Sequence, residues 1–204
     1  MPSKYIVRKL EDNSYYHVFL RSFDIEPFQD KEDYTVFLNN VAKLLSGKEL
    51  VDDRGRVYRT YSDTVELCAF AVLPTHFHFL LYVKDAKMLA KFMIGVLTRY
   101  SMYYNKKYNH RGKVFESVYK TIRIESDTQL FSTSRYINMN PSDWKEYPYS
   151  SLGYYTENYL STDWINITRI PVLFGSTKKY LEYLEDFKAY RAEIKDPEYP
   201  LIDR

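Results

Sequence analysis

Two of the chain's four histidines, His76 and His78, stand on either side of one phenylalanine in the apolar run AVLPTHFHFLLYV. Residues i and i+2 of a strand share a face, so this spacing predicts both imidazoles on one side of a sheet, with Phe77 and Phe79 on the other. Neutral imidazoles side by side read either as ligands for a divalent metal or as structural histidines satisfied within the fold. A metal needs a third ligand. In TSRYINMNP, Tyr136 and Asn140 are spaced i and i+4, which on a helix is one face. The Asn140 carboxamide could then reach an ion held by His76 and His78, with the Tyr136 phenol beside it. A phenol of pKa about 10 is a weak nucleophile at neutral pH. A metal that polarises phosphoryl oxygens and fixes in-line geometry lowers the barrier to its attack. The chain has 22 tyrosines, so a packing role is the competing reading for Tyr136.

These groups need a scaffold, and the sequence patterns outline one. YYHVFLRSF (15–23) is aromatic and β-branched, a first strand. DKEDYTVFLNNVAKLLSG has Asp30 as N-cap, apolar residues at helical spacing and Gly47 as a stop. Residues 49–62 carry an Asp-Asp-Arg-Gly turn signal and read as a surface hairpin. VELCAFAVLP and HFHFLLYV are continuously apolar, as central strands are, and join around Pro74-Thr75. A helix over 87–109 has Met88, Leu89, Phe92, Met93, Val96, Leu97, Tyr100 and Tyr104 as its buried stripe. A fourth strand is expected within 113–124, then a helix capped by Ser126 or Asp127 and stopped by Pro141. The order β-α-β-β-α-β-α predicts an α/β (α+β) fold, a ferredoxin-like or RRM-like antiparallel sheet with helices packed on it. Residues 1–141 would form this catalytic domain and 142–204 an aromatic C-terminal extension wrapped on it, ending in the amphipathic STKKYLEYLEDFKAYRAEI.

Composition narrows the class. With 204 residues and 45% hydrophobic content, the chain can bury one good core. The single cysteine, Cys68, excludes an internal disulfide and a Cys-rich zinc site, and suits a buried thiol in a reducing compartment. No signal-like start and no apolar run of about 20 residues is present, which points to a cytoplasmic protein with no membrane partner. The net charge is only +2, yet residues 84–123 sum to +8 and the remainder to −6. That asymmetry suits a surface for nucleic-acid phosphates, or a solvated lysine-rich helix face.

Four segments together, LPTHFHFLL, LTRYSMYYNKKYNHRGKVFESVYKTIRI, RYINMNP and YPYSSL, resemble the HUH single-tyrosine transposases, in particular the REP-associated tyrosine transposases. The resemblance runs from about Tyr15 to the last helix. It implies a divalent metal, Mg²⁺ or Mn²⁺, and cleavage of single-stranded DNA near a hairpin. Tyr136 matches the nucleophile that forms a 5′-phosphotyrosine, His76 and His78 match the metal ligands, and Asn140 matches the third ligand. Arg21, Arg99, Arg111, Lys113, Lys120 and Arg123 are the expected DNA contacts, and Tyr15, Tyr16 and Phe19 the expected stacking surface for bases. Thr75 replaces the family's usual asparagine before the histidines, Val118 an arginine, and Ser142 a valine. A domesticated, non-catalytic nucleic-acid-binding protein is an alternative, as is a replication initiator or relaxase-type nickase. No second tyrosine accompanies Tyr136 on its helix, which counts against the last. A monomer or a homodimer is expected, the long extension favouring the monomer.

Overall fold

The computed structural model describes residues 10–186 except 23, 49, 52–54, 56, 116–117 and 157–162. Its elements are β1 (Ser14–Arg21), α1 (Lys31–Leu45), β2 (Leu50–Val51), β3 (Val57–Tyr58), β4 (Val65–Leu73), β5 (His76–Val83), α2 (Ala86–Lys107), β6 (Lys120–Ile124), α3 (Asp127–Asn138), α4 (Leu152–Thr156), α5 (Arg169–Phe174) and α6 (Thr177–Glu185). Four strands form one antiparallel sheet in the order β4-β5-β1-β6, the ferredoxin-like arrangement, and β2 pairs with β3 in the expected hairpin.

Pleating sorts the strands' side chains into two cores. Tyr16, Val18, Leu20, Phe70, Val72, Phe77, Phe79 and Leu81 face α1 and α2, where Phe37, Phe92, Val96 and Tyr100 complete an aromatic layer. Ala69, Ala71, Leu80, Phe19 and Ile124 face α3, α4 and α6. A β-bulge between Leu67 and Ala69 shifts the β4 register, and the small Ala69 and Ala71 leave room for a helix directly on the sheet. Cys68 sits at the bulge, fully buried, and burial pushes its thiol pKa up to about 12.

Helix α1 begins where Asp30 accepts from the backbone of Glu32 (2.9 Å) and Asp33 (3.2 Å), while Asp33 accepts in return from Asp30 N (3.2 Å). The fourth sheet strand is shorter than expected. It covers only Lys120–Ile124, and Val114 and Phe115 instead fold under the turn, Phe115 packing on Phe77 at 5.9 Å. The predicted last helix is described as far as Glu185, and its continuation beyond 186 lies outside the described residues.

The segment after Pro141 covers the sheet's open edge. Val72 N donates to Tyr149 O (2.9 Å) and Ser151 N to Phe70 O (2.8 Å), so β4's outer backbone groups are satisfied. Further along, Asn166 N donates to Leu67 O (2.8 Å). The Arg169 guanidinium grips Glu66 through two bonds of 2.8 and 3.0 Å, with Lys84 (2.8 Å) and Asn166 (2.7 Å) joining it. Among the described residues, no helix is long and apolar enough to cross a membrane.

Candidate active site

The register of β1 against β5 assembles the site. His78 lies opposite Phe19, His76 opposite Arg21, and β6 sets Lys120 on the other side of Phe19. Ala71, His78, Phe19 and Lys120 therefore form one row across the four strands, on the face that α3 covers. His76 and His78 share that face as their spacing predicts, with ring centroids 5.1 Å apart.

His78 is completely buried. Its ring stacks on Phe19 (5.7 Å) and meets the edge of Tyr136 at 5.4 Å. Its Nδ1 lies 3.0 Å from Nε2 of His17, and its Nε2 is buried with no hydrogen-bond partner among the described residues. Burial, reinforced by His17, His76 and Arg21, holds its pKa well below the ordinary histidine value, so His78 is neutral at physiological pH. The half-buried His76 has Nδ1 2.9 Å from the Thr75 hydroxyl. The Thr75 carbonyl accepts from Ser22 N (2.8 Å) and Ser22 Oγ (3.0 Å), which ties the β4–β5 turn to the end of β1. Thr75 thus orients one of the two histidines.

Tyr136 projects from α3 with 8% of its surface exposed, against His78 and, at 6.0 Å, against His17. Helix α3 is buried over Ser132–Asn138 despite its polar composition, and several of its polar groups bond the C-terminal segment. Ser134 Oγ bonds the Tyr180 hydroxyl, and Asn138 bonds Ser134 O (3.1 Å), Tyr180 (3.1 Å) and Ser151 (2.6 Å). Arg135 bonds the Tyr183 carbonyl and lies 3.3 Å over its ring. The tyrosine helix is thereby held on its own chain's sheet by its own chain's C-terminal segment.

Asn140 is not on the helix. Helix α3 ends at Asn138, Met139 is its C-cap, and Asn140 follows the cap, half-buried, its N–H making a long bond to Ile137 O (3.4 Å). The residue before a proline avoids the helical conformation, and Pro141 enforces that here. The expected stacking of Tyr136 and Asn140 on one helical turn is therefore replaced by a helix side chain and a post-helical one.

The cationic residues divide. Arg21 and Lys120 are on the site face, Lys120 with Nζ 5.6 Å over the Phe19 ring. Arg99 is on α2, across the sheet, and Arg111 and Lys113 are exposed on the turn after it. Arg123 is engaged with Glu11 and, at 3.0 Å, with Glu125. Lys107, part of the same basic stretch, is surrounded by Asp30 (2.7 Å), Glu32 (3.0 Å) and Asp33 (2.9 Å). Of the expected stacking aromatics, Tyr16 is fully buried in the opposite core and Phe19 is 6% exposed beneath the site, while Tyr15 is half-buried against Tyr82. Phe19 is part of the site's floor, and Tyr16, on the far side of the sheet, offers no surface to bases.

Among the described residues, no three His, Cys, Asp or Glu side chains group as a metal site. Metal binding here would use the two imidazoles with a carboxamide and oxygens from substrate and water. A cavity of about 460 Å³ near Glu66, Trp164 and Asn166 contains none of these groups.

No protein-family model and no curated protein matches the sequence. Among solved structures, the chain is similar to a REP-associated tyrosine transposase bound to a REP hairpin, with a TM-score of 0.52 and 15% identity, covering 80% of this chain and 92% of that one. A candidate transposase from Deinococcus radiodurans R1 aligns with a TM-score of 0.39 and 12% identity over 63% of this chain and 91% of that one, too weak a likeness to carry an argument. The first similarity establishes a shared fold.

Proposed function

We propose that this chain is a transposase-like enzyme that nicks and rejoins single-stranded DNA beside a hairpin, with Tyr136 as nucleophile. The observation that carries the reading is the edge contact of Tyr136 with His78, a buried neutral imidazole with an open Nε2, on a fold shared with a hairpin-bound tyrosine transposase.

In the first step, Tyr136 Oη forms a bond to the scissile phosphorus and the P–O3′ bond breaks. The phenolic proton is lost, and the departing 3′-oxygen takes up a proton as a hydroxyl. The 5′-phosphotyrosine keeps the energy of the phosphodiester, so a second 3′-hydroxyl can attack it and reseal the strand without ATP. In this reading Arg21, opposite His76 on β1, and Lys120, beyond Phe19 on β6, hold phosphates flanking the scissile one.

The side chains fit a divalent metal. Each imidazole has Nδ1 engaged, His76 with Thr75 and His78 with His17, which directs Nε2 of both to an ion, as in established histidine sites. Asn140 is the third ligand in this reading. When bound, Mg²⁺ or Mn²⁺ supplies polarisation of a phosphoryl oxygen and in-line alignment, and two nitrogen ligands favour Mn²⁺. The placement of α3 on its own sheet favours a monomer that cleaves in cis.

The test is covalent capture. Labelled hairpin DNA with a single-stranded flank is incubated with the protein and Mn²⁺ or Mg²⁺, then denatured. A metal-dependent adduct that disappears in Tyr136→Phe is expected. Tight binding with no adduct under any metal would favour the non-catalytic binding protein, and an adduct that persists in Tyr136→Phe would move the nucleophile elsewhere.

A further inference from the structure

Lys107 and Arg123 are occupied by carboxylates of the fold, whereas Arg111 and Lys113 are exposed and make no ion pair among the described residues. No Asp or Glu occurs in the sequence from Ala86 to Phe115. The turn that carries the two cations is held in shape from below by Asn105 of α2. Its Nδ2 donates to Gly112 O (3.2 Å) and its Oδ1 lies 2.8 Å from His110 Nδ1. Gly112 O and Asn105 Oδ1 can only accept, so the amide has one orientation and His110 Nδ1–H is the donor, whether or not the ring carries a second proton. His110 N also donates to Asn105 O (3.1 Å). Asn109 and Gly112, with φ of 47° and 120°, reverse the chain around this brace.

The turn opens at the catalytic end of the sheet. There β1 ends at Arg21 opposite His76, and β6 begins at Lys120 opposite Phe19. Phe115, 7% exposed, pins the turn's exit on Phe77, the residue between the two histidines. We infer that residues 109–113 form a docking site for the phosphates of duplex DNA, with Arg111 and Lys113 as contacts and Asn105 as the positioning residue. That the duplex is the stem of a hairpin rests on the proposed function. Sites for single strands pair their cations with rings on which bases stack. Within 109–113 the one ring is His110, tied to Asn105 and set against Tyr104 at 5.6 Å. Cations without such a platform hold a backbone and fix its register. A stem held on this turn leads its single-stranded flank towards the histidine row, where Arg21 and Lys120 take over.

Binding without metal, so that no cleavage intervenes, tests this on two probes: a blunt DNA hairpin with no flank, and unstructured oligothymidine. In the double variant Arg111→Ala, Lys113→Ala, the slope of log affinity against log salt should fall by about 1.8 on the blunt hairpin, about 0.9 for each phosphate contact. The slope on oligothymidine should stay at the wild-type value, and Lys120→Ala should show the opposite pattern. Asn105→Ala keeps the net charge and should weaken hairpin binding by about 3- to 10-fold, the worth of a lost hydrogen bond, without weakening oligothymidine binding. Equal weakening on both probes overturns the positioning role of Asn105. A wild type that does not bind the blunt hairpin, or a double variant whose slope there is unchanged or falls equally on both probes, overturns the docking site. Failed covalent capture with a slope loss confined to the hairpin sinks the Tyr136 chemistry and upholds the turn; capture with an unaltered hairpin slope does the reverse.

Discussion

Asn138 of α3 and Tyr180 of α6, 42 residues apart, share a buried hydrogen bond of 3.1 Å, and Ser151 bonds the other end of the same carboxamide at 2.6 Å. Three segments thus converge on one side chain, two residues beyond the proposed nucleophile.

Removing that carboxamide leaves buried groups without partners. Asn138→Ala is expected to cost about 1–3 kcal/mol in urea unfolding. It should also lower covalent capture more than DNA affinity, because the helix that carries Tyr136 loses its anchor. Unchanged stability would mean that the network contributes nothing to docking α3.

The two histidines of the pair should separate by their burial. His78→Ala removes a fully buried ring packed on Phe19 and Tyr136, so both stability and Mn²⁺ affinity should fall, the former by about 1–3 kcal/mol. His76→Ala, at a half-buried position, should weaken Mn²⁺ binding with little effect on the melting temperature. Parallel thermal melts and Mn²⁺ titrations would decide it.

Basic residues that look alike in sequence should differ in salt dependence. Lys120→Ala should reduce the slope of log affinity against log salt on single-stranded DNA by about 0.7, the release expected for one phosphate contact. Lys107→Ala should leave the slope unchanged and lower the melting temperature, because its ammonium neutralises Asp30, Glu32 and Asp33 within the fold. A slope change in Lys107→Ala would show that these carboxylates release it to DNA.

Acid should loosen the C-terminal clamp at a defined range. Burial raises the pKa of Glu66, but bonds from Arg169, Lys84 and Asn166 outweigh it and hold the group down at about 2. A folded pKa below the unfolded one, about 4.3, means the stabilisation is complete above that value and is lost as pH falls towards 2. The linkage corresponds to roughly 2–3 kcal/mol. Unfolding free energies measured from pH 6 to 2 should fall more steeply in wild type than in Glu66→Gln; identical slopes would remove Glu66 from the acid response.

The elements were legible where periodicity and caps agree: the 3.6-residue stripe of α2, the Asp30 cap, and the alternation around His76 and His78. The missed features depend on partners distant in sequence. His17 stands in YYHVFLR as one more residue of an apolar strand, and only the register of β1 on β5, which a single strand does not encode, brings it to His78. Arg135 is fully buried against a tyrosine 48 residues later, a pairing with no local signature. Asn140 is different, since its departure from the helix was readable in the Pro141 that follows it. The lysines and arginines were readable as charge but not as neutralised or available, because that depends on which carboxylates the fold brings near.

A strand has a parity, odd residues to one side and even to the other, and β4 changes parity once, at Cys68. Val65 and Leu67 share a side with Phe70 and Val72 only because one extra residue intervenes. Without it, Phe70 and Val72 would stand beneath the tyrosine helix, and Ala69 and Ala71 would leave gaps under α1 and α2. The thickness of each half of the molecule, and so the clearance in which a phenol can lie over a histidine, is decided by an insertion of one amino acid on a strand that itself contributes no reacting group.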